Sequence, residues 1–255
     1  MTLRFSTGAR NAQASTLGLQ GAFNRGYMEI YTGAQPVNAD AAISGTLLGV
    51  SSVASGTLTK ETRAAGTITI TGASSGSINT ITVGGLNIIP DGAIAVSGDT
   101  TSTLASKLAD AINRNGMMEA TVASNVVTVR PRPGSGAVAA AIAGSLTTVT
   151  ATYVAVGTAV AGVAPVNGLI LLPPVAGVIS KSADVWSFSG LAAGNAGWFR
   201  YKSSDTADTG GASTVFPRID GICGVGSGDA WLSSLAVSIG SPHTVDIFKF
   251  TMQGA

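Results

Sequence analysis

Short segments in which apolar and polar residues alternate recur along this chain, and turn-forming residues separate them. Residues 27–31 form one such segment, and similar segments return about every ten residues in the last third, with Gly, Asp and Pro between them. The strands predicted in that last third are residues 169–172, 184–188, 197–202, 216–222, 231–239 and 245–251. This spacing is typical of antiparallel sheets. The sequence therefore predicts a mainly β fold whose principal domain is an antiparallel β-sandwich or jelly-roll-like domain.

The aromatic residues divide the chain into three parts. They occur before residue 32 and after residue 185, and Tyr153 is the only one between Tyr31 and Trp186. The middle is rich instead in Thr, Val, Ile, Ala and Gly. Because exposed loops tolerate inserted domains, we interpret residues 1–60 and 164–255 as one outer domain and residues 61–163 as a module inserted into it.

The inserted module contains a change of period. Residues 67–71 and 78–83 alternate as strands do, whereas residues 103–115 repeat apolar side chains at helical spacing, at Leu104, Leu108, Ala111 and Ile112. Thr100, Thr101 or Ser102 is suited to cap that helix. The middle therefore reads as a small α+β module with one helix. A weaker pattern at residues 7–17 predicts a short N-terminal helix capped by Thr7.

Charged residues are scarce, at 11% with a net charge of +1. No basic run or basic face appears, so nucleic-acid binding is not expected. Prolines and glycines interrupt the most apolar stretch, residues 163–179, and the N-terminus lacks a signal-peptide core, so we expect no membrane anchor and synthesis in the cytoplasm. Interface cores are depleted in charge, which favours a surface covered by partner subunits over a freely diffusing β protein.

Patterns that resemble catalytic motifs occur where the sequence predicts turns. Residues 72–76 read G-x-S-x-G, but they lie between two predicted strands, whereas the nucleophile motif needs a strand followed by a helix. His243 is the only histidine and is predicted in a solvated turn, and Cys223 is predicted to be a small buried residue. We therefore expect no catalytic residue and no enzymatic activity.

Cofactor and metal motifs are also incomplete. Asp205, Asp208, Asp220 and Asp229 do not have the spacing of a calcium loop, and one His with one Cys cannot make a zinc site. Residues 224–228 are glycine-rich but lack the remainder of a phosphate-binding loop. The basic and proline-rich residues 130–133 suit a sheet edge. No metal or cofactor is expected.

The late aromatic residues have two interpretations. Aromatic side chains that alternate along strands usually belong to the core of a sandwich, and this is the preferred interpretation. The alternative is that Trp198, Tyr201 and Trp231 form a platform on which a saccharide stacks.

Several stretches of the outer domain resemble a widespread family of small tailed-phage structural proteins. They are residues 3–12, 26–36, 45–48 and 216–221, followed by the strand that ends at Met252. Residues 81–85 and 103–115 are similar to a module of phage fibres and flagellar filament-associated proteins. The family has no established active site, so the resemblance implies a structural role and carries over no functional residue. The long insertion departs from its shorter members.

These observations together lead to a ranked expectation. The first is a structural component of a tailed-phage virion, most simply a capsid decoration or head–tail accessory protein, bound to copies of itself and to other virion proteins. The second is a tail-tip or fibre adhesin that binds a host receptor or saccharide. The third is an enzyme such as a hydrolase or depolymerase, which needs clustered carboxylates or a Ser–His pair. Glutamate is scarce in the chain, and none lies in a recognisable pair. Capsid or tail location, symmetry and the docking partner stay open.

Overall fold

A computed structural model of the chain describes residues 3–14, 18–73, 75–83, 86–114, 118–132, 146–149, 154–156 and 160–251. The described part is mainly β. Its helices are α1 (Thr7–Gln13), α2 (Gly18–Phe23) and α3 (Thr101–Asn113). Its strands are β1 (Arg4–Phe5), β2 (Tyr27–Thr32), β3 (Leu47–Val53), β4 (Gly66–Ile70), β5 (Ser75–Ile78), β6 (Thr80–Val83), β7 (Leu86–Asn87), β8 (Ile94–Ser97), β9 (Met118–Ala123), β10 (Val126–Pro131), β11 (Leu146–Val149), β12 (Val154–Val156), β13 (Val178–Ser180), β14 (Trp186–Ser189), β15 (Gly194–Lys202), β16 (Arg218–Gly224), β17 (Ala230–Leu232), β18 (Ala236–Val237) and β19 (Pro242–Thr251).

The chain divides into two compact units. Unit 1 consists of Met1–Glu61 and Pro165–Ala255, and unit 2 consists of Thr62–Ala164. The module boundaries expected from the aromatic distribution, residues 61 and 163, each lie one residue from this division. Each unit has its own apolar core.

Unit 1 is built on a closed ladder of seven strands. The order is β16–β17–β19–β14–β3–β2–β15, and β15 pairs again with β16. Every neighbouring pair is antiparallel except β16 with β17. The short strands β1, β13 and β18 add to β16, β19 and β15. The two-sheet sandwich expected from the sequence is therefore not confirmed, because the ladder closes on itself as a barrel.

Aromatic rings fill the barrel interior, and glycines on neighbouring strands make room for them. A Cβ atom at Gly49 would lie 2.1 Å from Cδ2 of Phe188, and one at Gly221 would lie 2.6 Å from Cζ of Phe199. The ring of Tyr201 stacks on that of Phe248 at 5.3 Å with an interplanar angle of 2°. The interior is therefore a packed core, in which each of these two glycines leaves space for an aromatic ring of the adjacent strand.

The N-terminal helix starts one residue earlier than expected and is shorter. Ser6, not Thr7, is its N-cap, and the Ser6 hydroxyl accepts a hydrogen bond from the Ala9 amide at 3.0 Å. The same hydroxyl donates to Phe216 O at 2.9 Å and accepts from the Arg218 amide at 2.9 Å. The hydroxyl of Ser6 thus caps α1 and also connects it to the start of β16. The end of the predicted helix, residues 15–17, lies outside the described residues.

Unit 2 is a small α+β unit. β4 pairs with β10 and β12, and β10 pairs with β9; β6 pairs with β7 and β11, and β5 with β8. Helix α3 begins with a capping box between Thr100 and Thr103. Its buried face carries Leu104, Ala105, Leu108, Ala109, Ala111 and Ile112. The helical spacing in the sequence is therefore the spacing of this buried face.

Some strand expectations were wrong. Residues 169–172, predicted as a strand, form isolated bridges at Leu169 and Leu171. Residues 231–239 form two separate short strands, β17 and β18, and residues 242–244, predicted as a turn, belong to β19. Short pairings of two or three residues are set by distant partners, so local alternation does not reveal them. Within the described ranges, no helix is both long and apolar enough to cross a membrane.

The start of α3 gives a pH-dependent prediction. The Asp99 carboxylate accepts hydrogen bonds from Lys107 Nζ at 2.9 Å, from the Ser97 amide at 3.1 Å and from Thr103 Oγ1 at 3.2 Å. These contacts, with Lys107 the largest, hold the pKa of Asp99 below its ordinary value. The stabilisation is therefore present above the pKa of an unfolded aspartate, about 3.9, and is lost as the pH falls through the lower folded value.

We expect Asp99→Asn to reduce the acid-induced fall in melting temperature, followed by circular dichroism at 222 nm between about pH 6 and pH 2.5. Asp110→Asn, at an exposed position within α3, serves as the control and keeps the fall. An equal pH dependence in the wild type and Asp99→Asn would contradict the prediction.

Candidate functional site

Charged and aromatic side chains form a buried layer on the outer face of three barrel strands. On β15, Phe199 and Tyr201 belong to the barrel core, so Trp198, Arg200 and Lys202 point to the outside. The neighbouring strands add Tyr27, Glu29 and Tyr31 on β2 and Arg218 and Asp220 on β16. All eight of these side chains are buried although they lie outside the barrel. We call them, with Asp208, the outer charged layer.

Two arginine–aspartate pairs form the centre of the outer charged layer. Arg200 binds Asp220 through two hydrogen bonds, Nε to Oδ1 at 2.8 Å and Nη2 to Oδ2 at 2.7 Å. Arg218 binds Asp208 in the same way, at 2.9 and 2.5 Å. Lys202 Nζ lies 2.9 Å from Glu29 Oε2 and 4.0 Å from Asp208 Oδ1. Each buried charge is thus paired, as burial in a medium of low polarity demands.

Two long connections cover the outer charged layer. Segment 33–46 joins β2 to β3, and segment 203–217 joins β15 to β16. Arg200 Nη1 donates to the Ala41 carbonyl at 2.9 Å, and Arg218 Nη1 donates to the Gly211 carbonyl at 2.8 Å. The two segments also meet each other, because the Ile43 amide donates to Gly210 O at 3.2 Å. The arginines therefore hold the covering segments as well as their own carboxylates.

The aromatic members of the layer are kept neutral by burial. The Tyr31 hydroxyl donates to Glu29 Oε2 at 2.7 Å, and its ring stacks on Trp198 at 4.7 Å. Burial, together with the nearby Glu29 charge, raises the pKa of Tyr31 and of Tyr27 far above the ordinary value. Lys60 Nζ lies 4.4 Å from the centre of the Tyr27 ring, and burial lowers the pKa of Lys60. These phenols stay protonated at physiological pH.

The structure does not bring Trp198, Tyr201 and Trp231 together as a platform. Trp198 and Tyr201 have no exposed surface and lie on opposite faces of β15. Trp231 lies on β17, between the core residues Ala230 and Leu232, and its half-buried side chain points outward. Of the three, Trp231 alone offers surface to a ligand.

His243 is placed differently from the sequence expectation. It is buried in β19, stacks on Phe188 at 5.2 Å, and its Nε2 lies 2.8 Å from Ser241 Oγ. The Ser241 hydroxyl also lies 2.6 Å from the Ser238 carbonyl, in the turn before the strand. No carboxylate bonds to His243 Nδ1 in the described part of the chain. The pair therefore lacks the third group that orients a catalytic histidine.

The other motif residues occupy structural positions. Residues 72 and 73 follow β4, residues 75 and 76 belong to β5, and Ser74 lies outside the described residues. β5 pairs with β8 and lies in a different sheet from β4. Asp208 and Asp220 pair with arginines, and Asp229 Oδ2 accepts from the Ile222 amide at 2.9 Å. No group of three or more potential metal ligands occurs among the residues described. Burial raises the pKa of the Cys223 thiol to about 12, so this cysteine stays protonated.

Large aliphatic side chains are exposed over much of unit 1. They occur on connections and on outward strand positions: Val37, Val166, Ile170, Leu172, Val175, Val185, Leu191, Val215, Ile222, Val225, Ile239 and Ile247. No Asp, Glu, Lys or Arg occurs in residues 185–199 or 230–245. Scattered single apolar residues are ordinary on a surface, but extended uncharged surface is typical of contact with other molecules. This surface is the candidate functional site.

The outer charged layer was not predicted from the sequence. Two segments of the sequence nevertheless carry a pattern that indicates the layer. Glu29 lies between two tyrosines at alternate positions of β2, and Arg200 and Lys202 alternate with aromatic residues on β15. Opposite charges at matching alternate positions are a signal of facing strands. This pattern identifies the layer only when the pairing of β2 with β15 is already known.

Comparisons with known proteins gave no match to a family model, to a curated protein or to a solved structure.

The two arginine pairs lead to a stability prediction. Asp220→Ala leaves the Arg200 guanidinium buried without its carboxylate, so we expect a loss of about 3–5 kcal/mol in the free energy of unfolding. Urea denaturation followed by tryptophan fluorescence measures it. The double variant Arg200→Met, Asp220→Leu leaves no charge without a partner, and we expect a smaller loss. A double variant at least as unstable as Asp220→Ala would contradict this explanation.

Proposed function

We propose that this chain is a non-enzymatic structural subunit of a tailed-phage virion, assembled in multiple copies as a capsid decoration or head–tail accessory protein. The observation that carries the proposal is the small number of charges left for the surface of unit 1. The chain has 14 basic and 13 acidic residues, and eight of them are buried in unit 1. Those eight are Glu29, Glu61, Arg200, Lys202, Asp205, Asp208, Arg218 and Asp220.

The remaining surface suits permanent contact with other subunits. A freely diffusing domain normally carries more charge than this chain for solubility. Exposed aliphatic side chains and charge-free segments are instead typical of surfaces that partners cover. The resemblance of residues 3–12, 26–36 and 216–221 to small tailed-phage proteins gives the assembly its proposed identity. The proposed partners are copies of the chain and other virion proteins, and the proposed location is the virion after synthesis in the host cytoplasm.

The proposal is tested on phage particles. Particles produced by a strain that carries the gene are purified on a density gradient and analysed by quantitative mass spectrometry. We expect the chain to sediment with the particles at a copy number comparable to those of other structural proteins. Labelled antibody visualised by electron microscopy then distinguishes head from tail. Particles of normal composition that lack the chain would reject the proposal.

One observation favours the second candidate, an adhesin. Trp231 is half-buried and points outward, as a side chain that stacks on a sugar ring does. If the chain is an adhesin, the purified protein binds host cells or isolated cell-surface saccharides, and Trp231→Ala abolishes the binding. Trp198→Phe, at a buried position, is the matched control and retains it. Saturable binding that depends on Trp231 would favour the adhesin over the decoration protein.

A further inference from the structure

Three neighbouring barrel strands present apolar side chains on one outward face. Trp231 on β17 lies directly across from Ile247 on β19, and Ile222 lies on β16 beside them. Ile222 and Ile247 are each 38% exposed, although both strands are in the middle of a sheet. We call Ile222, Trp231 and Ile247 the outer apolar face. Tryptophan in such a setting is the residue type that contributes most to protein–protein contacts.

An irregularity in β19 brings a charge next to this face. The register shifts between Trp231, which pairs with Ile247, and Leu232, which pairs with Val245. Asp246 is therefore an extra residue in β19, and both Asp246 and Ile247 are exposed. Without this shift, strict alternation would place Asp246 and Ile247 on opposite faces of the strand.

Opposite charges flank Ile247 along the same strand. Lys249 is exposed and lies three residues after Asp246, roughly 10 Å along a strand that rises about 3.3 Å per residue. The Asp246 carboxylate accepts a hydrogen bond from Thr244 Oγ1 at 2.6 Å. Asp229 immediately precedes β17, the strand paired with this part of β19, and its carboxylate accepts a hydrogen bond from the Ile222 amide at 2.9 Å. No ion pair of Asp246 or Lys249 occurs within the described residues.

We infer that the outer apolar face binds the same face of a second copy of this chain, related by a two-fold axis near Ile247. The axis runs across β19 in the plane of the contact, so the two β19 strands are antiparallel. Asp246 of each copy then lies opposite Lys249 of the other, and two equivalent ion pairs form. The apolar centre with a charged rim is the usual anatomy of a protein interface. The inference rests on the proposed function, because it names one contact between copies in the assembly.

The ladder determines how the two copies meet. β17 is paired with β16 and β19, and β19 is paired with β17, β14 and β13. Backbone groups on these strands are thus already used, and a partner cannot be added as a further strand there. The contact is made by side chains, face to face, and its specificity comes from the two Asp246–Lys249 pairs.

Charge reversal tests the two-fold contact. We expect the purified full chain to dimerise in sedimentation-velocity experiments, and Lys249→Asp and Asp246→Lys each to raise the dissociation constant about tenfold or more, because each puts like charges together. Mixing the two variants restores opposite charges at both pairs, so their heterodimer recovers most of the wild-type affinity. Trp231→Gln weakens every combination.

Control variants carry the same charge changes elsewhere. Arg10→Asp and Asp110→Lys alter exposed residues outside the outer apolar face, and we expect the dimer to survive both. Circular dichroism checks that each variant is folded. A chain that stays monomeric up to about 100 µM, well above the range of ordinary specific contacts, overturns the inference, as does a dimer that tolerates both reversals. A monomeric chain found in particles rejects only this contact, whereas a dimer absent from particles rejects only the proposed function.

Discussion

Burial of charge outside the barrel is the constraint on which the rest of unit 1 depends. Arg200, Lys202 and Arg218 are paired with carboxylates on the outer surface of a closed ladder, where water would normally solvate them. Removing paired charges from water is favourable only when their remaining hydrogen-bonding groups also find partners. The carbonyls of Ala41 and Gly211 supply those partners. Two connections without regular structure are thereby fixed on the barrel.

This layer also explains why β2 and the second half of β15, residues 198–202, are buried on both faces. Their inward residues fill the barrel with rings and aliphatic groups, and their outward residues form ion pairs and aromatic stacks. An ordinary barrel strand has one polar face in water. Here the polar half of the alternation is as buried as the apolar half, so the pattern in the sequence is that of a surface strand while the environment is that of a core strand.

Local sequence patterns predicted the elements whose formation depends on residues close to one another in the chain. The 27–31 alternation became β2, and the spacing of Leu104, Leu108 and Ile112 became the buried face of α3, because each pattern depends on neighbours within one element. The closure of the ladder depends on β15 pairing with both β2 and β16. No local feature of Trp198 or Arg200 indicates two distant partners, so the sequence was equally compatible with a sandwich. The same non-local pairing decides that Tyr201 lies in the core and Trp231 on the surface.

The burial of charged residues inside unit 1 and the scarcity of charges on its surface are linked, because the chain has few ionisable residues. A chain with few ionisable residues that assigns eight of them to the interior of unit 1 leaves its outward strands and loops to aliphatic and small polar groups. A protein whose surface contacts only solvent normally has its charged groups outside and its apolar groups inside. The buried charges therefore hold two loops against the barrel, and the charge-poor exterior is the surface that the proposed partner subunits cover. In this arrangement Asp246 and Lys249 are among the few charges left on the barrel exterior, and the proposed contact between copies depends on their placement on either side of Ile247.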